Sequence, residues 1–197
     1  MPRVSADEKE RSHSRIVQEA SLLLRAQGLD NTSVSDVMKA AGLTHGGFYR
    51  HFKSKGDLVT TALSFAVKDT MSGLDASFTI AEGEAALRTY INLYLSMNHV
   101  RNPDTGCPLA ALSVDAGRDD GAVRQVADQE RQYVLGLLSR AMGQETEQVH
   151  DKAHALMALL VGAVTLARVA LSNEDAEAVL LAARNSAAQL ILQRNTQ

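Results

Sequence analysis

The chain has 197 residues, 45% of them hydrophobic, enough to build a real core in one domain or two small ones. Aromatic residues make up only 4%, tryptophan is absent and there are three prolines, a composition that points away from strands and towards an all-α fold. The single cysteine excludes an internal disulfide and suits a reducing cytoplasm, charge-dense residues 1–15 do not read as a secretion signal, and a net charge of −3 taken alone argues against a nucleic-acid partner.

Residues 1–4 read as an arm. Ser5-Ala6-Asp7-Glu8 is a capping box that opens a helix with Ile16, Ala20, Leu23 and Leu24 on one face, ended by Gly28. Residues 33–55, SVSDVMKAAGLTHGGFYRHFKSK, hold two short helical patterns over 34–41 and 45–52. Between them lies Gly42-Leu43-Thr44, where glycine ends the first helix and threonine is placed to cap the second, a helix-turn-helix pattern. Val34, Val37, Met38 and Ala41 give the first helix one apolar face, and Phe48 with Phe52 does the same for the second. His45, Gly46, Gly47, Tyr49 and Arg50 occupy the opposite face. Each glycine costs about 1 kcal/mol inside a helix, so the pair implies a close backbone approach, either to DNA or to a neighbouring helix. Residues 1–60 carry nine Lys/Arg against seven Asp/Glu, so the head is mildly basic and the rest of the chain acidic.

Ser54-Lys55-Gly56-Asp57 opens a linker helix that runs through Leu58, Ala62, Phe65 and Ala66 to about residue 72, and 73–83 reads as a loop. A helix over 84–98 follows, then the break Asn102-Pro103-Asp104-Thr105-Gly106 and a short helix over 107–117. Helices over 121–142, 147–171 and 175–193 complete a count of nine. The longest strongly apolar stretch, 155–167, falls short of the roughly 20 residues needed to span a bilayer and reads as a buried helix. The last two helices carry Leu156, Leu159, Leu160, Ala163, Val164, Ala167 and Leu171 on one side, and Val179, Leu180, Ala183, Ala187, Leu190 and Ile191 on the other. Such stripes predict a twofold four-helix interface beside an ordinary core.

His150 and His154 stand four apart with Asp151 beside one of them, but no glutamate lies between them and no third ligand is evident, so no metal is assigned. Cys107 opens a helix, where the dipole can lower a thiol pKa; the other reading is a buried, inert cysteine. Hydrolase, metalloprotease, dinucleotide and phosphate-loop motifs are all missing from the sequence, so it does not read as an enzyme and no cofactor is assigned. Phe65, Tyr90, Tyr94, Met97, Leu109 and Met157, with Cys107, are the large or adaptable side chains predicted to line an apolar cavity in the C-terminal body.

Ala40-Ala41-Gly42-Leu43-Thr44, Phe48-Tyr49-Arg50-His51-Phe52 and Ser54-Lys55 together resemble the DNA-binding head of the TetR family of bacterial transcriptional regulators. The resemblance implies a helix-turn-helix DNA-binding domain over 1–54 and a helical effector-binding and dimerisation domain over 55–197. It further implies a cytoplasmic homodimer, joined through the last two helices, that acts as a repressor and leaves its operator DNA when a small molecule binds. Carried over residue by residue, Thr44, His45, Gly46, Gly47, Tyr49, Arg50 and His51 would face DNA. Ser33 and Ser35 would touch it from the preceding helix and Lys55 would meet phosphate. The alternatives are a small helical binding protein or enzyme for an apolar compound, and a repressor that senses oxidants or electrophiles through Cys107.

Overall fold

The computed structural model describes residues 6–80, 83–119, 121–143 and 146–192. The arm of residues 1–4 and the capping residue Ser5 lie outside them. The described residues form nine α-helices and one 3-10 helix, and no strand. The helices are α1 (Ala6–Gln27), α2 (Val34–Ala40), the 3-10 helix (His45–Arg50), α3 (Lys55–Ile80), α4 (Gly83–Tyr94), α5 (Met97–Arg101), α6 (Pro108–Arg118), α7 (Ala122–Met142), α8 (Glu147–Val169) and α9 (Asn173–Leu192).

Helices α1, α2, the 3-10 helix and the first half of α3 enclose one core. Ile16, Ala20 and Leu24 face Val37, Met38, Phe48 and Phe52, and Leu58, Ala62 and Leu63 close the cluster. The core extends past residue 54: Val67 of α3, Leu112 and Ala116 of α6 and Val123 of α7 belong to it. The second core is built from α4, α7, α8 and α9, with Leu87, Ile91, Leu95, Leu138, Leu156, Leu160, Val164 and Leu180 at its centre. Helix α6 contributes to both clusters.

Two boundaries and one packing assignment differ from the sequence reading. Helix α3 runs on through Gly73 to Ile80, because buried Leu74 and half-buried Phe78 continue its apolar stripe at i, i+4. The helix expected over 84–98 is two, since Ser96 takes an extended backbone and its Oγ accepts the His99 amide at 3.3 Å, capping α5. The stripe assigned to a dimer is largely intrachain core: Leu156, Leu160, Ala163, Val164, Ala167, Leu180, Ala183 and Ala187 are all buried where α8 and α9 pack on each other and on their neighbours. The large apolar side chains that α8, α9 and the turn between them leave in solvent are Leu166, Val169, Leu171 and Leu181. Helix α8 has the length and composition of a membrane span, with one side packed in the core and the other carrying exposed Leu166 and Val169.

Candidate nucleic-acid interface and internal cavity

Ser33 opens α2 by accepting the Asp36 amide on Oγ at 3.1 Å. After Ala41 the chain turns at Gly42, whose φ of 68° lies in the left-handed region that glycine tolerates, and the Leu43 amide closes back on the Met38 carbonyl at 2.9 Å. Thr44 sits at the next N-cap with an extended backbone but makes no side-chain capping bond, contrary to the cap predicted for it. The segment that follows is a six-residue 3-10 helix, not an α-helix, in keeping with the weak helix propensity of Gly46-Gly47. It is held by Phe48, which is buried and stacked on Phe52 with ring centroids 5.7 Å apart. Neither glycine is required by packing within the chain: a Cβ at Gly46 would meet nothing within 4 Å, and one at Gly47 only Met38 Cε at 3.6 Å.

Anchoring the apolar side leaves the other side in solvent. Tyr49 is 75% exposed, and Ser33, Ser35, Thr44, His45, Gly46, Arg50 and Lys55 are exposed as well. Thr44, Gly47, Arg50 and His51 surround a shallow depression completed by Lys9 and Ser12 of α1. Ser33 spends its hydroxyl on the α2 cap and on Asp36. His51 is half-buried beside His13, with Nδ1 enclosed and unpartnered; burial first, then the charges of His13, Lys9 and Arg50, hold its pKa below the ordinary value.

In the body, α3, α4, α5, α6, α7 and α8 line a cavity of about 370 Å³. Of the residues predicted to line it, Tyr90, Tyr94, Cys107, Leu109 and Met157 do so. Phe65 does not: it is 42% exposed on α3, turned away from the apolar stripe. Nor does Met97, which is half-buried against the body core at the start of α5. His99, Asn98 and Asn102 line the cavity without having been singled out in the sequence.

The polar chemistry of this region centres on α5 and the start of α6. His99 Nδ1 lies 2.8 Å from the Tyr94 carbonyl, and Nε2 accepts the Cys107 amide at 3.1 Å, which fixes the proton on Nδ1. The imidazole stands edge-on to the Tyr94 ring at 4.5 Å, and burial holds its pKa below the ordinary value. Cys107 sits at the N-cap of α6, yet its thiol is pushed up to about 12, by burial first and then by Glu130, overriding the helix dipole. The lowered thiol pKa weighed in the sequence is therefore not found. Cys107 Sγ donates to Glu130 Oε1 at 3.7 Å. Glu130, fully buried on α7 and unremarked in the sequence, is pushed by burial up to about 8. Its Oε2 and the Tyr94 hydroxyl have no hydrogen-bond partner.

Two bonds join the cavity region to the head. Buried Arg25, in the last turn of α1, donates through Nη1 to the Gly106 carbonyl at 2.9 Å, and the Leu29 amide donates to Asp115 Oδ2 of α6 at 3.0 Å. Gly106 also abuts His99: a Cβ there would come within 2.6 Å of the imidazole ring.

A profile of bacterial regulatory proteins of the tetR family matches residues 16–62. Rv0196, an HTH-type transcriptional regulator of Mycobacterium tuberculosis (strain ATCC 25618 / H37Rv), is 27% identical over 176 residues, covering 79% of this chain and 83% of its own. The HTH-type transcriptional regulator AcrR of Shigella flexneri is 40% identical over 58 residues, 29% of this chain and 27% of its own. In fold, the chain is similar to a TetR-family transcriptional regulator from Cytophaga hutchinsonii, with a TM-score of 0.82, 21% identity and full coverage of both chains. Residues 16–62 thus carry the helix-turn-helix head of the tetR family of bacterial regulatory proteins, and the chain is similar over most of its length to transcriptional regulators of the HTH type.

Proposed function

We propose that this regulator is a homodimeric repressor that leaves its operator when a small molecule occupies the cavity of the body. The observation that carries the reading is the position of α6. Its first residues line the cavity, and Leu112 and Ala116 further along it belong to the core of the head. A ligand that displaces the start of α6 therefore strains the Arg25 and Leu29 ties and the packing under the DNA-binding elements.

On the DNA side, Thr44, Tyr49 and Lys55 are assigned to phosphate, and His45 and Arg50 to base edges. Ser35 touches from α2, and Gly46 and Gly47 let the backbone approach. Ser33 serves chiefly as the α2 cap, and His51 supports the surface from behind. The dimer would form through α8 and α9, covering Leu166, Val169, Leu171 and Leu181. The cysteine-sensing alternative loses support because a thiol held near 12 is almost wholly protonated at neutral pH.

The test is selection of duplexes from a random pool, followed by binding assays on the enriched site. A near-palindromic site is expected. Tyr49→Ala should weaken binding to all duplexes, and Arg50→Ala should cost about 1–3 kcal/mol at one or two base positions only. Enrichment of no sequence refutes operator recognition, and operator affinity unmoved by any compound that occupies the cavity refutes ligand control.

A further inference from the structure

The cavity walls carry an uneven set of polar groups. Asp69 stands on them and acidic Glu130 lies directly behind Cys107, whereas no lysine or arginine is among the described residues that line the space. The nearby cations are already engaged in hydrogen bonds to the protein. Arg25 bonds to the Ser21 carbonyl and hydroxyl and to the Gly106 carbonyl, and Arg168 bonds to the carbonyls of Val100, Ala110 and His99. Buried polar atoms are normally paired, so two unpaired ones in one neighbourhood call for a partner. Tyr94 lines the cavity and its hydroxyl has only the weakly bonding Cys107 thiol beside it; Glu130 Oε2 is unpaired beyond that thiol. The remaining surface is apolar or aromatic, with Tyr90, Leu74, Val134, Met157 and Leu160.

We infer that the ligand is a lipophilic amine: an apolar, aromatic-compatible body of modest size in the cavity, with one ammonium group drawn to Tyr94 Oη and the Glu130 carboxylate. This rests on the proposal that the cavity is the effector site and adds the chemical class of the effector. An ammonium can donate to the Tyr94 hydroxyl oxygen on the cavity wall, is drawn towards Glu130 behind the Cys107 thiol and is favoured by aromatic faces, whereas a carboxylate would find Asp69 on the wall and no free cation. A neutral compound of the same shape would gain the apolar contacts and leave the acidic end unused. The titratable and charged groups that bear on Glu130 and its surroundings are Cys107, Tyr90, Tyr94 and Arg25, with Arg168, His99, Asp69 and Asp104 around them. Burial keeps Glu130 largely protonated at neutral pH, so pairing with an ammonium entails loss of that proton to solvent.

The experiment is calorimetric titration of the full chain at pH 7 with three matched probes: 1-naphthylmethylamine, 1-naphthalenemethanol and 1-naphthoate. The amine should bind at least about tenfold more tightly than the alcohol, with the carboxylate weakest. Repeating the amine titration in buffers of different ionisation enthalpy should show net release of protons on binding of the amine. Glu130→Gln should abolish that release and bring the amine-to-alcohol ratio below about threefold, and Tyr94→Phe should lower the ratio too. Alcohol binding with no amine preference, or a preference that survives Glu130→Gln with proton release intact, overturns the amine assignment and leaves the cavity reading standing. Failure of all three probes to bind overturns both.

Discussion

Arg25→Met is the sharpest perturbation of the path between cavity and head, because it removes the guanidinium while keeping an unbranched apolar stem. In the parent, Nε and Nη2 bond within α1 to Ser21, and Nη1 alone crosses to the body, donating to the Gly106 carbonyl at 2.9 Å. The side chain is 6% exposed, so solvent does little to weaken these bonds or to replace them. A hydrogen bond from a charged donor contributes about 1.5–3 kcal/mol, so a loss of about 2 kcal/mol is expected. At about 2–4 °C per kcal/mol for a chain of this size, the melting temperature should fall by roughly 4–8 °C in a circular dichroism melt. The same variant should uncouple the two regions. Operator release by 1-naphthylmethylamine, read by fluorescence anisotropy of labelled duplex, should need at least about threefold more probe, measured against amine affinity in the same variant. A melt within about 1 °C of the parent together with unchanged release would refute the claim that this bond carries stability and signal.

The buried carboxyl of Glu130 sets a pH dependence of stability with a definite sign. Its folded pKa of about 8 lies above the ordinary 4.5, so the folded state holds the extra proton and stability falls as pH rises between those values. His99 and His51, both held low by burial, act in the opposite direction only below about pH 6.5. Melts between pH 6.5 and 8 should therefore show a loss of about 2 kcal/mol in the parent and a nearly flat line for Glu130→Gln. Gly46→Ala, placed where a Cβ meets nothing within the chain, should leave the melting temperature unchanged or slightly raised, yet weaken operator binding in a shift assay. Sedimentation should give roughly twice the 21.2 kDa chain mass, and Leu171→Glu combined with Leu181→Glu should yield folded monomer, since both side chains are exposed in the single chain.

Much of the fold was legible where the chain uses local signals. Gly28, Gly42 and Gly143 all end helices with positive φ, and the apolar spacing of Val37, Met38, Phe48 and Phe52 marked the inward side of the head. The misjudged boundaries were cases of one local rule outweighing another. Gly73 read as a breaker, although Leu74 and Phe78 continued the stripe beyond it, and the Ser96 cap was hidden inside an apolar run. Phe65 shows the limit of reasoning from side-chain size, since a large apolar residue on a long helix can face solvent. Glu130 was the main residue missed in the cavity region. Surrounded by Asp128, Gln129, Arg131 and Gln132 it resembles a solvated helix surface, yet it falls in register with Val123, Ala127, Val134 and Leu137, and that register was the available signal.

What periodicity cannot supply is which faces meet, and here that decides the mechanism. Val123 of α7 packs with the head, whereas Val134, Leu137 and Leu138 of the same helix pack with the body. Helix α6 is divided in the same way, with Leu109 and Ala110 on the body side and Leu112 and Ala116 on the head side. The division drawn after residue 54 thus follows the chain but cuts through a shared core. Two bodies joined only by a linker helix would need that helix to carry any signal. In the proposed mechanism a head whose core includes Leu112 and Ala116 would be moved directly by the wall of the cavity, and a shift at Cys107 would have only a few residues of α6 to travel before it reached the packing beneath the DNA-binding surface.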